Sequence, residues 1–165
     1  MRWLIAFLAL AGIVAAFLAL REHYRTGASP CSVNEKWDCG AVNKSSFAVI
    51  GGLHGARGPE DKPPSGSKKN IFAEIDEIPV ADIGIAGYLL LLMLAIAKQW
   101  RLLAAAAVLA WGFSLYLAHI EKDVLGVWCI YCVISLGIIT LITVLSLIAL
   151  GMNWRKTSVQ SDRAT

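Results

Sequence analysis

The chain has 165 residues, of which 57% are hydrophobic and only 16% charged, and its mean hydropathy is +0.61. That apolar share exceeds the roughly 45–50% of a soluble domain and marks an integral membrane protein. A formal charge of +3, with Lys and Arg mostly between the apolar runs, gives no support for nucleic-acid binding.

The first apolar run, residues 3–20, is uncharged between Arg2 and Arg21. A secretory signal would have an apolar region of roughly 7–15 residues and a small-x-small ending. The sequence Ala15-Ala16-Phe17-Leu18-Ala19-Leu20 lacks that ending, so the run is read as a retained anchor. Residues 21–78 are polar and interrupted by Gly and Pro, and they form a long outer loop. It carries Cys31 and Cys39, whose x7 spacing lets them bridge each other or open toward a third thiol. Residues 40–50 are mildly amphipathic, as for a short helix on the membrane surface. Residues 51–69, rich in Gly, Pro, Ser and charge, read as an inserted loop.

The second run covers residues 79–97, with Pro79 suited to a first helical turn and Asp82 near the positive end of the helix dipole. Lys98-Gln99-Trp100-Arg101 is a tight connector to the third run, residues 102–120, which has His119 near its end. Glu121-Lys122-Asp123 makes another short turn. The fourth run opens on Trp128-Cys129-Ile130-Tyr131-Cys132 and stays uncharged to Trp154. Each run approaches the roughly 20 residues that cross about 30 Å of hydrocarbon. Short connectors make runs two, three and four antiparallel neighbours, which predicts an all-α membrane protein, a four-transmembrane-helix bundle over residues 1–152 with a tail at 153–165.

Orientation follows from the basic residues. With both termini cytoplasmic, the inner side carries Arg2, Lys98, Arg101, Arg155, Lys156 and Arg163, whereas the short outer turn has Lys122 between Glu121 and Asp123. All four cysteines then lie on the non-cytoplasmic side, and a rise of 1.5 Å per residue sets Cys132 about 28 Å from Gly151, near the outer edge of the apolar layer.

A CxxC pair closes a small reactive disulfide, and the positive end of a helix favours the thiolate that starts exchange. Combined with a second pair in an outward loop, it suggests a relay in which one pair meets a soluble dithiol and the other a lipid-soluble acceptor. The plainer readings are cysteines packed as small apolar groups, a structural staple in a non-catalytic membrane interaction subunit, and a four-thiolate zinc site, for which the loop spacing is poor. Asp82 reads as a dipole-stabilised carboxylate more than a proton donor, and His119 as an interfacial group more than a proton relay or haem ligand. Trp128 and Tyr131 suit an aromatic belt and could flank an acceptor. Ser45 reads otherwise as a turn cap. Gly12 with Ala16, and Ala106 with Ala110, permit close helix packing.

The chain resembles the vitamin K epoxide reductase family, including bacterial homologues that oxidise thioredoxin-like partners with a quinone. The resemblance rests on Cys31-x7-Cys39, Ser45 beyond it, the Pro79-x4-Gly84-x3-Tyr88 opening of run two, and Cys129-Ile-Tyr-Cys132 opening the last run. It implies that Cys129 and Cys132 are the active pair, with Cys132 facing the quinone, and that Cys31 and Cys39 shuttle electrons from a partner. Ser45, Trp128, Tyr131 and Tyr88 would border the quinone, which would be ubiquinone, menaquinone or phylloquinone. A DsbA-type partner at about −120 mV has a sensible sink in a quinone. No fused thioredoxin-like domain is visible, so the partner is expected to be a separate thioredoxin-like or DsbA-like protein. Vertebrate members have an Asn and a Tyr against the vitamin K head group where this chain has Val80 and Leu136. An ordinary quinone in a bacterial cytoplasmic membrane, with the cysteines periplasmic or extracellular, is therefore the expected setting. The alternative is an epoxide and quinone reductase of the vitamin K cycle.

Overall fold

A computed structural model describes residues 1–27, 29–34, 36–50 and 78–162, with side chains through residue 153. The loop expected at residues 51–69 lies outside the described residues. Among the described residues five α-helices follow in order: α1 (Arg2–Tyr24), the short α2 (Cys39–Asn43), α3 (Val80–Ile96), α4 (Trp100–His119) and α5 (Ile130–Asp162). No strand occurs among the described residues. Three segments, Arg2–Tyr24, Trp100–Leu125 and Ile130–Asn153, are long and apolar enough to cross a membrane, and Val80–Ile96 is a shorter apolar helix.

Helix α1 overruns its apolar stretch because Arg21 and His23 sit favourably in its last turn, near the negative dipole end. The expected surface helix at 40–50 is confined to α2, followed by a single 3-10 turn, Ser46–Ala48. Asp38 sets the start of α2, its Oδ1 accepting the amides of Gly40 at 2.9 Å and Ala41 at 3.1 Å. Pro79 ends the extended stretch before α3, and Ile50 and Ile78 are joined by an amide-to-carbonyl bond of 3.2 Å. Lys98, in the left-handed region at φ 57°, turns the chain from α3 into α4.

The turn expected at Glu121-Lys122-Asp123 is instead helical. Residues Ile120–Leu125 continue α4 as a π-helical turn that ends at Gly126, whose φ of 67° is cheap for glycine. The wider turn leaves Lys122 and Asp123 exposed and rotates Glu121 inward, where it is 3% exposed.

Each long helix contributes to one core: Ile5 and Ala9 from α1, Tyr88, Leu91 and Ala95 from α3, Leu103 and Ala107 from α4, Ile139 and Ile142 from α5. Helix α1 lies between α3 and α5, and α4 packs on α5. Consecutive helices differ as neighbours, since α3 and α4 touch much less than α4 and α5 do. Side chains tie α4 to α5, with Trp111 Nε1 donating to Thr140 Oγ1 at 3.1 Å and Thr143 Oγ1 to the Ala107 carbonyl at 3.1 Å. Trp3, Phe7 and Leu109 point outward and are about two-thirds or more exposed, as suits helices whose solvent is lipid.

Candidate active site

The cysteines meet at one end of the bundle. Cys31 and Cys39 are joined in a disulfide with a Cα–Cα separation of 5.8 Å, while Cys129 and Cys132 are free. A short strand-like contact docks the loop onto the segment before α5. The Trp128 amide donates to the Lys36 carbonyl at 2.8 Å, the Asp38 amide donates to the Trp128 carbonyl at 3.1 Å, and the rings of Trp37 and Trp128 lie 6.5 Å apart. As a result Cys31, Cys39, Val42 and Cys129 form one buried cluster, against which Tyr131 and Cys132 pack.

Asn43 is the hinge of this arrangement. It lies one helical turn after Cys39, and its Nδ2 donates both to the Cys39 carbonyl at 2.9 Å and to the Cys129 sulfur at 3.4 Å. Its own backbone carbonyl accepts from His23 Nδ1. Asp38 is held by Ser32 Oγ at 2.5 Å as well as by the α2 amides, and Ser32 first, then these amides, keeps its carboxyl below the usual range. Behind the loop, Ser29 Oγ donates to Glu22 Oε2 at 2.7 Å and lies 3.4 Å from the Cys31 sulfur.

Cys129 directly precedes α5 and is fully buried. Donation from the Cys132 thiol, then from the Cys132 amide and Asn43, holds its thiol below the ordinary range, outweighing burial and the Glu121 carboxylate. The Cys129 amide in turn donates to Glu121 Oε2 at 3.1 Å. Glu121 and Cys132 both line a cavity below the loop.

Below the loop, a mostly apolar cavity of about 350 Å³ opens where α3 and α4 part, with α1 and α5 as its other walls. Of the four cysteines, Cys132 alone lines it. Ser45, Trp128, Tyr131 and Tyr88 border it too, as do Val80 and Leu136. Ser45 donates to the Val42 carbonyl at 2.8 Å, so its hydroxyl closes a local turn at the rim. The Tyr88 hydroxyl donates to the Ser135 carbonyl at 2.9 Å and lies 2.8 Å from Ser135 Oγ, which fixes the ring as a wall. Asp82 and His119 are not among the lining residues; His119 Nδ1 meets Asp123 at 2.6 Å on the exposed side. No group of three or more His, Cys, Asp or Glu is placed to hold a metal among the described residues.

The volume lies in the lower part of the roughly 300–1,000 Å³ usual for small-molecule sites, and apolar walls with a few polar groups fit a quinone ring. Two site residues were missed in the sequence. Asn43 was detectable as a polar residue in α-helical register with Cys39. Glu121 was not, because its inward direction depends on the π-helical turn.

No curated protein matches the sequence. The profile of the Vitamin K epoxide reductase family matches residues 3–147, a stretch that takes in all four cysteines and the cavity, and the chain belongs to that family.

Proposed function

We propose that this membrane oxidoreductase carries electrons from the dithiol of a separate thioredoxin-like protein through its two cysteine pairs to a membrane quinone. The net reaction is partner dithiol plus quinone giving partner disulfide plus quinol, in support of disulfide formation. In this reading Val80–Ile96 is the fourth membrane span, its 17 residues rising about 26 Å. The termini are cytoplasmic, and the cysteines face the periplasm or exterior of a bacterial membrane.

The observation that carries the reading is the division among the sulfurs. Cys132 opens on the apolar cavity, and Cys129 is buried between Cys132 and the loop pair. The partner dithiol reduces Cys31–Cys39 and leaves as a disulfide. The freed Cys39 thiolate attacks Cys129 in the oxidised CxxC, releasing Cys132, and Cys31 then displaces Cys129 as the loop disulfide closes again. Full burial of Cys39 and its link through Asn43 to Cys129 support assigning the inner exchange to Cys39 and the partner to Cys31. Apolar walls at Val80 and Leu136 favour an ordinary quinone over an epoxide.

The test is anaerobic mixing of the purified protein with a reduced thioredoxin-like protein and menaquinone or ubiquinone, following quinol by absorbance. Wild type forms quinol in step with partner disulfide and Cys132→Ala forms none. Absence of quinol from wild type with either quinone refutes the reading.

A further inference from the structure

We infer that Glu121 is a catalytic proton carrier, taking the thiol proton of Cys132 and passing it to the quinone oxygen in the cavity. The inference deepens the reading above and rests on it. Glu121 is 3% exposed, yet it lies where the Cys129 amide meets the cavity that Cys132 lines. Its Oε2 accepts the Cys129 amide at 3.1 Å, and it lines the same cavity as Cys132. The π-helical turn Ile120–Leu125 is what aims it there, and such turns recur at functional sites.

A carboxylate removed from water is costly unless something compensates. Neither ion pair seen among the described residues, Arg25 with Glu22 and His119 with Asp123, involves Glu121. The titratable groups sharing the cavity with it are His23 from α1, Tyr88 from α3, and Tyr131 and Cys132 from α5; Cys129 approaches through its amide. A group that only had to hold the start of α5 could be a neutral amide.

The step balances as follows. Cys129 thiolate forms the S–S bond with Cys132, and the pair gives up two electrons. The S–H bond of Cys132 breaks, and its proton moves to Glu121 and then to one quinone oxygen. The second proton, released when Cys129 ionised, returns from water to the other oxygen. The products are the Cys129–Cys132 disulfide and quinol.

Glu121→Gln separates proton transfer from positioning, because its amide oxygen can still accept from Cys129 but the side chain cannot carry the proton. The variant is compared with wild type in single turnover from the reduced CxxC to quinone across pH 6–9. At pH 7 quinol formation is expected to slow about a hundredfold, the low end of general acid–base contributions. Exchange between the loop pair and CxxC, read by alkylation mass shifts, stays within about threefold on the same reasoning. The ratio of wild-type to variant rates should shrink as pH rises and hydroxide takes over the deprotonation. A loss below about threefold, or a ratio that does not change with pH, overturns the inference, since a positioning role predicts no such change. If Glu121→Gln does not fold, infrared difference spectra of the Glu22→Gln variant, which silences the other carboxylate buried among the described residues, decide instead. A carboxyl band that changes as CxxC is oxidised by quinone supports the inference, and no change overturns it. Absence of quinol from wild type would count against the proposed function itself, whereas normal wild-type turnover with an unimpaired Glu121→Gln counts against Glu121 alone.

Discussion

Gly12→Ala tests the contact on which the cavity wall depends. A Cβ built at Gly12 would stand 2.3 Å from Tyr88 Cε1 and 2.5 Å from both Cδ1 and Cζ, so the ring and the methyl cannot share the space. If the ring stays, the helices must part, an overpacking cost of about 1–3 kcal/mol. If the ring moves, its hydroxyl loses two hydrogen bonds to Ser135, about 1 kcal/mol each, and the ring leaves a site where it is only 5% exposed. Either route costs about 2–3 kcal/mol, or about 30- to 150-fold in the ratio of folded to unfolded protein. Gly137→Ala in α5 is the control, because nothing lies within 4 Å of its added methyl; there the better helix former is neutral or gains up to about 1 kcal/mol. Reversible unfolding in mixed micelles measures both. In a Tyr88→Ala background the Gly12→Ala penalty should fall below about 0.5 kcal/mol, giving a coupling energy of about 2 kcal/mol. Equal stabilities for Gly12→Ala and Gly137→Ala, or simple additivity with Tyr88→Ala, would refute the steric argument.

Asp38→Ala should cost about 1 kcal/mol through loss of the α2 cap, seen in thermal unfolding. Because the folded-state pKa of Asp38 is depressed, its contribution is full above the unfolded value of about 3.9 and is lost as pH falls through the folded value, so mutant and wild type should converge in acid. Asn43→Ala removes a donor to the Cys129 sulfur; the thiolate absorbance of the reduced protein should then titrate at higher pH than in wild type. Cys31→Ser should leave Cys39 able to be trapped with Cys129 as a mixed disulfide, whereas Cys39→Ser should form no such link through Cys31, and a partner lacking its resolving cysteine should be trapped on Cys31 when it attacks the wild-type loop disulfide, all read by non-reducing peptide mass spectrometry. A Cys31–Cys129 linkage would reverse the assignment.

Much of the framework was legible because helices in lipid declare themselves by uncharged length, and the stretches read as runs at 3–20, 79–97 and 102–120 correspond to α1, α3 and α4 within a few residues. Close packing at Gly12 and Ala16 was also legible from residue size, and the structure supplies the partners: the Tyr88 ring over Gly12, and Gly84 opposite Ala16. Packing order was not. Connector length made the second, third and fourth runs neighbours, and α3 touches α4 and α4 touches α5, but that α3 packs mainly on α1 is a tertiary outcome. The π-helical turn was hidden because Glu121-Lys122-Asp123 has the composition of an exposed turn, and only the backbone shows which of its three charged residues faces inward. Loop docking escaped notice for a similar reason: the Lys36, Asp38 and Trp128 contacts are backbone bonds, which leave no side-chain signature.

The same docking answers a chemical difficulty of joining water-borne thiols to a lipid-soluble acceptor. A thiolate open to both phases would exchange with any passing disulfide, and it would also bypass the loop pair. Here the backbone contact at Trp128 fixes the loop over Cys129, which is fully buried, while the CxxC spacing turns Cys132 toward the cavity one helical turn on. In the proposed relay, electrons would reach Cys132 through Cys129, and Cys129 through the docked loop. The parting of α3 from α4 gives the acceptor its space without widening the α1–α5 contact that carries the loop at one end. In the proposed relay, rate and selectivity would therefore depend on different parts of the molecule: selectivity on the loop contact that shields Cys129, and rate on the walls and proton path around Cys132.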